Sequence, residues 1–293
     1  MFDEIAFIIF RGIGSGALLT LIALSFNVVH NSSHILNFAQ GSLLILGGLI
    51  AALLLPDDAG IGLWFVLFAF GTVVMGVLLA VQGYVTLLPL KYSGERDSWL
   101  ITTMAVSVII GAILLLTQGP FARIAPNPFP PVRLFGMSTP AAYAFCMVLA
   151  LVWYAVLRWF LTRTRSGLAI SALSQDYDAA RAAGINVRRL QVVAFLISGL
   201  ILGSAGFAVA PMMTISPDSG FLYVINGFIA AVVGGLGNNL GALIAGPVVG
   251  VISMLATYQL GGEFESTVIF GLMLVVLIFR PQGIFGRAQA RRV

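Results

Sequence analysis

The sequence predicts an all-α polytopic membrane protein of about eight or nine transmembrane helices, and three observations carry that expectation. Hydrophobic residues make up 59% of the 293-residue chain and charged residues only 9%. A soluble domain carries about 25% charged residues, so this chain cannot cover a water-facing surface. Several apolar runs reach the ~20 residues that cross a bilayer. Basic residues also collect between alternate runs, as loops on one side of a membrane do. The chain reads as a single transmembrane domain over 1–293, with one polar insert at about 163–190.

The first run, 5–27, follows an acidic start at Asp3 and Glu4. A cleavable signal would begin with basic residues, so this run is expected to remain as a permanent span. The second, 36–55, opens on the polar stretch NFAQGS. The third, 62–89, is longer than a ~30 Å hydrocarbon core requires at 1.5 Å per residue and is expected to tilt. Runs at 98–118 and 140–161 are of spanning length, and the sixth, 191–213, follows the insert. The seventh, 221–236, and the ninth, 264–279, are short enough to be partial or re-entrant, and the eighth covers 240–260.

Charge orients the set. With the 163–190 insert in the cytoplasm, Lys91, Arg96, Arg163, Arg165, Arg181, Arg188, Arg189, Arg280, Arg287, Arg291 and Arg292 fall inside, eleven of the 15 basic residues. Asp3, Glu4, Asp57, Asp58, Asp218, Glu263 and Glu265 gather on the opposite side. Lys and Arg set topology and the acids agree weakly, which puts the N-terminus outside and the C-terminus in the cytoplasm. In a membrane protein the location of the charges matters more than their sum, so the net charge of +4 is not read as nucleic-acid affinity.

Glycines recur four apart at Gly12/Gly16, Gly199/Gly203, Gly237/Gly241 and Gly246/Gly250. Small residues at that spacing let helix backbones approach closely in lipid, here expected inside one bundle rather than at a dimer face.

Several chemistries are missing. With Lys91 as the sole lysine, in LPLKYS, there is no G-x-x-x-x-G-K-[ST] loop and no ATP site in this chain. His30 and His34, in a stretch (HNSSH) read as a polar turn, and the lone Cys146 make neither a zinc site nor a disulfide. No nucleophile stands with a base and an orienting acid, so the chain is not read as an enzyme. The runs lack internal acids, which disfavours proton coupling. Sodium coupling through carbonyls at a broken helix stays open. Arg11, near the outer end of the first run, is expected to snorkel to the interface.

The insert RTRSGLAISALSQDYDAARAAGINVRRLQ carries an apolar stripe at Ile170, Leu173, Tyr177 and Ala180, close to a helical period. Ser174 or Asp176 suits a helix N-cap, and Gly184 suits the left-handed residue that ends a helix. One or two short helices are expected, either lying on lipid or docking a cytoplasmic partner.

Polar breaks mark a second candidate region. Asn37 and Gln40 share a face if their segment is helical, and GGLGNN at 234–239 interrupts the late runs. Asn226 stands inside the seventh run without a charged neighbour. Discontinuous helices with Gly-rich ends form transporter pathways near mid-membrane. Candidate pathway residues are therefore Asn37, Phe38, Gln40, Gly41, Ser42, Asn226, Gly234, Gly235, Gly237 and Asn238; the alternative is that they are caps and interhelical hydrogen bonds.

Four motifs, in order, resemble one family. TRSGLAISALSQDYDAARAAGINVRRL is similar to the cytoplasmic signature of permease subunits of branched-chain amino acid ABC importers. NFAQGSLLILGG resembles the early N-F-A-[HQ]-G motif, AAVVGGLGNNLGALIAGPVVG the late Gly-rich motif, and LIFRPQGIFGR the C-terminal ending. The resemblance implies the ABC importer permease fold, in a bacterial inner membrane, with no cofactor in this chain. It implies a second permease, two ATP-binding subunits that hold ATP and Mg, and an extracytoplasmic solute-binding protein. It further implies that Ile170, Leu173, Asp176, Tyr177, Ala179, Ala180, Arg181, Gly184 and Ile185 couple to the ATPase. Solutes of such relatives include branched-chain amino acids, urea, short amides and aromatic acids. Ser42 stands where members often carry a carboxylate. The rival expectation is a self-sufficient secondary carrier or channel.

Overall fold

The computed structural model describes residues 2–87, 98–134 and 136–286. Lys91, Arg96, Arg287, Arg291 and Arg292, used in the charge argument, lie outside the described residues, as does the end of the third apolar run. The described chain is a helical bundle: α1 (Phe2–Ser33), α2 (Gln40–Leu54), α3 (Ile61–Gln82), α4 (Ser98–Gln118), α5 (Ala142–Arg163), α6 (Arg165–Gln175), α7 (Tyr177–Ala182), α8 (Val187–Val209), α9 (Gly220–Gly234), α10 (Asn239–Leu260) and α11 (Glu265–Phe279). A small hairpin, β1 (Val132–Leu134) with β2 (Met137–Thr139), is antiparallel. Within the described residues all nine apolar runs form helices, and seven of these are long and apolar enough to cross a membrane.

The short helices differ from expectation. The ninth run reaches spanning length once the 3₁₀ turn Gly262–Phe264 is joined to α11. It is α2 and α9, 15 residues each, that fall short. The second run loses its first residues because His34 takes φ 55° and Asn37 Oδ1 accepts from the Ala39 N–H (3.1 Å), a turn that delays helix to Gln40. HNSSH is not a loop: His30 to Ser33 complete α1, and only His34 leaves the helix. At the end of α3 the winding loosens into a π segment, Gly83–Leu87, where Phe195 lies against Gly83.

The core is built on α1 and α8, whose side chains dominate the fully buried set. Each glycine pair packs within the chain. Gly12 and Gly16 meet Val251, Gly246 and Pro247, forming an antiparallel seam between α1 and α10. Gly199 and Gly203 lie against Met75 and Gly76 of α3, while Gly241 meets Gly234. In lipid the hydrophobic effect does not separate helix from solvent, so this close backbone contact supplies the packing energy. By contrast α4 and α11 bury little, leaving Leu116, Ile278 and Phe279 outward.

Two faces follow from the contacts. The upper face carries the start of α1 and the end of α8. There Arg123 and Ile215 form a two-way backbone bridge (2.9 and 2.8 Å), and Trp64 sits among Phe65, Phe68, Phe129, Phe145 and Phe207. The lower face carries α6, α7 and the end of α1, where Gln191 Nε2 donates to the Ser32 carbonyl (3.4 Å).

Candidate translocation site and coupling surface

The polar break at 37–42 lies inside the bundle. Gln40 opens α2 half-way along the 23-residue α8: its Nε2 donates to Ser198 Oγ (3.0 Å) and its Oε1 accepts from Ser25 Oγ of α1 (3.0 Å). Asn37 and Gln82 exchange two amide hydrogen bonds (2.9 and 3.2 Å), tying the turn to α3. Ser42 shares a 2.7 Å hydroxyl contact with Ser107 of α4. Asn37 and Gln40 are fully buried. They do not share a face, because Asn37 precedes the helix, and each takes a different partner helix.

On this anchor the two short helices meet start to start. A β-carbon on Gly41 would overlap the Gly220 carbonyl oxygen, and one on Gly220 would stand 2.8 Å from the Ser42 nitrogen. Only glycine at both positions allows so close an approach. From the junction α2 climbs to the upper face, its Gly48 against Gly206 near the end of α8. In the other direction α9 descends, its Gly227 against Ile22 and its Phe228 on Phe26 (6.0 Å). Phe38 completes that ring group, 6.2 Å from Phe26 and 5.8 Å from Phe228. The segment leading into α9 is polar and exposed at Asp218, whose carboxyl the Ser216 hydroxyl holds below the usual range.

At its lower end α9 stops at Gly234, and Gly235 (φ 97°) and Gly237 (φ 82°) turn the chain into α10. Asn238 caps α10 through Oδ1, which accepts from the Leu240 and Gly241 N–H groups (3.0 and 3.1 Å). Its Nδ2 donates to the Phe285 carbonyl (2.8 Å). Asn27 Oδ1 accepts from the Gly237 N–H (2.8 Å), and Asn31 Nδ2 donates to the Gly237 carbonyl (3.1 Å). Around this turn three buried atoms lack hydrogen-bond partners among the described residues: Asn27 Nδ2, His30 Nδ1 and Asn239 Oδ1. Asn226, half-buried on α9, makes no hydrogen bond among the described residues.

The insert forms two short helices. Thr164 caps α6, accepting from the Gly167 N–H (3.0 Å), and Asp176 caps α7, accepting from the Ala179 N–H (3.0 Å). Gly184 takes φ 82°, and the Gly184 and Ile185 N–H groups close on the Arg181 and Ala180 carbonyls (3.0 and 3.2 Å). That pair of bonds is a Schellman ending. The Ile170–Leu173–Tyr177–Ala180 stripe is not one helix, because Asp176 is extended between α6 and α7. Ile170, Leu173 and Ala180 are buried in the chain's own core, and Tyr177 and Ile185 pack beside it. The surface left for another molecule is the opposite side, with Asp178, Ala179, Arg181 and Gly184 exposed.

Sequence reasoning missed the partners. Gln82 was the legible one, an amide inside an otherwise apolar run. Asn27 and Asn31, four apart and so on one helix face, were legible as a pair. Nothing marked Ser25, Ser107 or Ser198, since lone serines in apolar runs commonly bond their own helix.

A family model described as the permease component of branched-chain amino acid transport systems matches residues 8–277. The chain is 28% identical to the high-affinity branched-chain amino acid transport system permease protein BraD of Pseudomonas aeruginosa, over 97% of this chain and 96% of that one. It is 29% identical to the LivH permease protein of Escherichia coli K12, with coverage of 97% and 96%. To the LivM permease protein of the same organism it is 28% identical, over 95% of this chain and 71% of LivM. No solved structure matches. With a half-helix pair anchored among seven longer apolar helices of the described chain and a family match across nearly its whole length, the chain is a multi-pass membrane protein of the branched-chain amino acid transport permease family.

Proposed function

We propose that this chain is the transmembrane permease subunit of an ATP-driven importer for branched-chain amino acids or related small polar solutes. The observation that carries the reading is the family match over 8–277, joined to the start-to-start meeting of α2 and α9. Half-helices that meet within a bundle are the usual frame of a mid-membrane transport route. In this reading Asn37, Phe38, Gln40, Gly41 and Ser42 hold one wall of the route. Asn226 lines it, and Gly234, Gly235, Gly237 and Asn238 form its lower turn.

Energy comes from two ATP-binding subunits that dock the exposed side of α6 and α7. A second permease, of the LivM kind or a copy of this chain, completes the membrane core, and an extracytoplasmic binding protein delivers solute. The N-terminus lies outside and the lower face in the cytoplasm of a bacterial inner membrane. The test is reconstitution in liposomes with and without the two ATP-binding subunits. Leucine uptake that needs those subunits and ATP supports the reading. Uptake by this chain alone, driven by an ion gradient, rejects it in favour of a self-sufficient carrier.

A further inference from the structure

Arg11 is a half-buried cation on α1 with no counter-charge among the described residues. Its Nη2 donates to the Tyr143 hydroxyl of α5 (3.1 Å), and its guanidinium carbon lies 5.3 Å from the Tyr143 ring centre and 5.8 Å from that of Phe7. Its Nε is buried with no acceptor, and no described carboxylate pairs with it. The position is rigid, because the next residue, Gly12, touches the Val251 backbone and Gly14 touches the Tyr143 ring. A snorkelling arginine would turn its head away from the bundle toward lipid phosphates. Here the aromatic faces and the Tyr143 hydroxyl draw it inward.

A guanidinium presents five N–H donors in a planar fork that matches a carboxylate. One donor is used by Tyr143, and the buried Nε–H is unspent. An uncompensated charge in a half-buried place is costly, and an anion that docks there recovers that cost. Across the α1–α10 seam, Ser253 donates to Glu265, and that carboxylate forms no ion pair with Arg11 among the described residues.

We propose that Arg11, with Tyr143, binds the carboxylate of the transported solute at the upper end of the route. This rests on the transport role proposed above, and it narrows the solute to carboxylate-bearing molecules over neutral amides and urea. The probe is phenylglyoxal labelling of arginines in the full-length chain, held in phosphatidylcholine nanodiscs and read by peptide mass spectrometry. Arg133, on the exposed hairpin, is the internal reference.

Leucine and 4-methylpentanoate at millimolar concentration should slow Arg11 labelling roughly fivefold relative to leucinamide, with Arg133 unchanged. Equal protection by leucinamide, or none by any solute, overturns the proposal. So does protection that appears only on adding phosphatidylglycerol, which would make Arg11 a lipid anchor. In the assembled complex, Arg11→Gln should lower leucine uptake about tenfold and Arg11→Lys should restore part of it. Unchanged uptake by a well-assembled Arg11→Gln complex also overturns it. Labelling does not depend on ATP, so a failed importer reading leaves the protection pattern intact. A failed carboxylate site leaves ATP-driven uptake intact.

Discussion

The two polar breaks of this chain look alike in sequence and differ in structure. At 37–42 the side chains of Asn37, Gln40 and Ser42 are all bonded to neighbouring helices. At the lower turn, Asn27, His30 and Asn239 leave buried polar atoms without hydrogen-bond partners among the described residues, and Asn226, higher on α9, likewise makes no hydrogen bond among them. A saturated network in a low-dielectric interior holds one geometry. An unsaturated one has capacity for water or solute, since buried polar atoms without protein partners are ordinarily met by water. The upper break thus serves as a fixed joint, and the lower one is where exchange with a mobile molecule costs least.

The strongest way to break that contrast is Gly41→Val. The added carbons meet the backbone of Gly220, which cannot yield as a side-chain tip would. A cost of about 3 kcal/mol is expected, seen as loss of monodisperse protein in size-exclusion chromatography. Gly62→Val, where a β-carbon meets nothing within 4 Å, should behave as wild type. Equal behaviour of the two variants would show that the joint is not tight.

Next in size is Gln40→Leu, which strands the Ser25 and Ser198 hydroxyls. A loss of roughly 1–2 kcal/mol is expected in thermal unfolding, with assembly retained and uptake reduced. Wild-type stability and uptake together would remove Gln40 from both roles.

Outside the breaks, Gly184→Val imposes a β-branched residue at φ 82° where space is open, so its cost is conformational, about 1 kcal/mol. The altered α7 ending should release ATP-binding subunits during purification while the chain reaches the membrane in normal amount. Full retention with full transport would assign α7 to the lipid surface. The smallest stability effect belongs to Asn226→Leu, within about 0.5 kcal/mol because no hydrogen bond is lost. Its uptake should nonetheless fall, and normal uptake would take Asn226 out of the route.

Much of the fold was legible. Hydropathy marks every apolar helix because lipid requires a long run for each, and caps such as Asp176 and the positive φ at Gly184 are local properties. What was not legible is relational. That Asn37 turns to Gln82 while Gln40 turns to Ser25 and Ser198 depends on which helices stand beside the break. The insert's stripe misled for a physical reason: Ile170 and Leu173 satisfy the chain's own core, and a periodic pattern does not say which body it faces. Arg11 misled similarly, because Tyr143, its partner, lies far along the chain.

The seam between α1 and α10 bears on how the protein is made. Gly12 and Gly16 in the first helix close against Gly246 and Gly250, near the end of the chain. At ~5–20 residues per second, the about 230 residues between them take on the order of 10–50 s to synthesise. Through that interval the glycine face of the first helix has only lipid or insertion machinery beside it. A chain halted before α10 leaves its central helix without its main neighbour, a ready mark for membrane quality control.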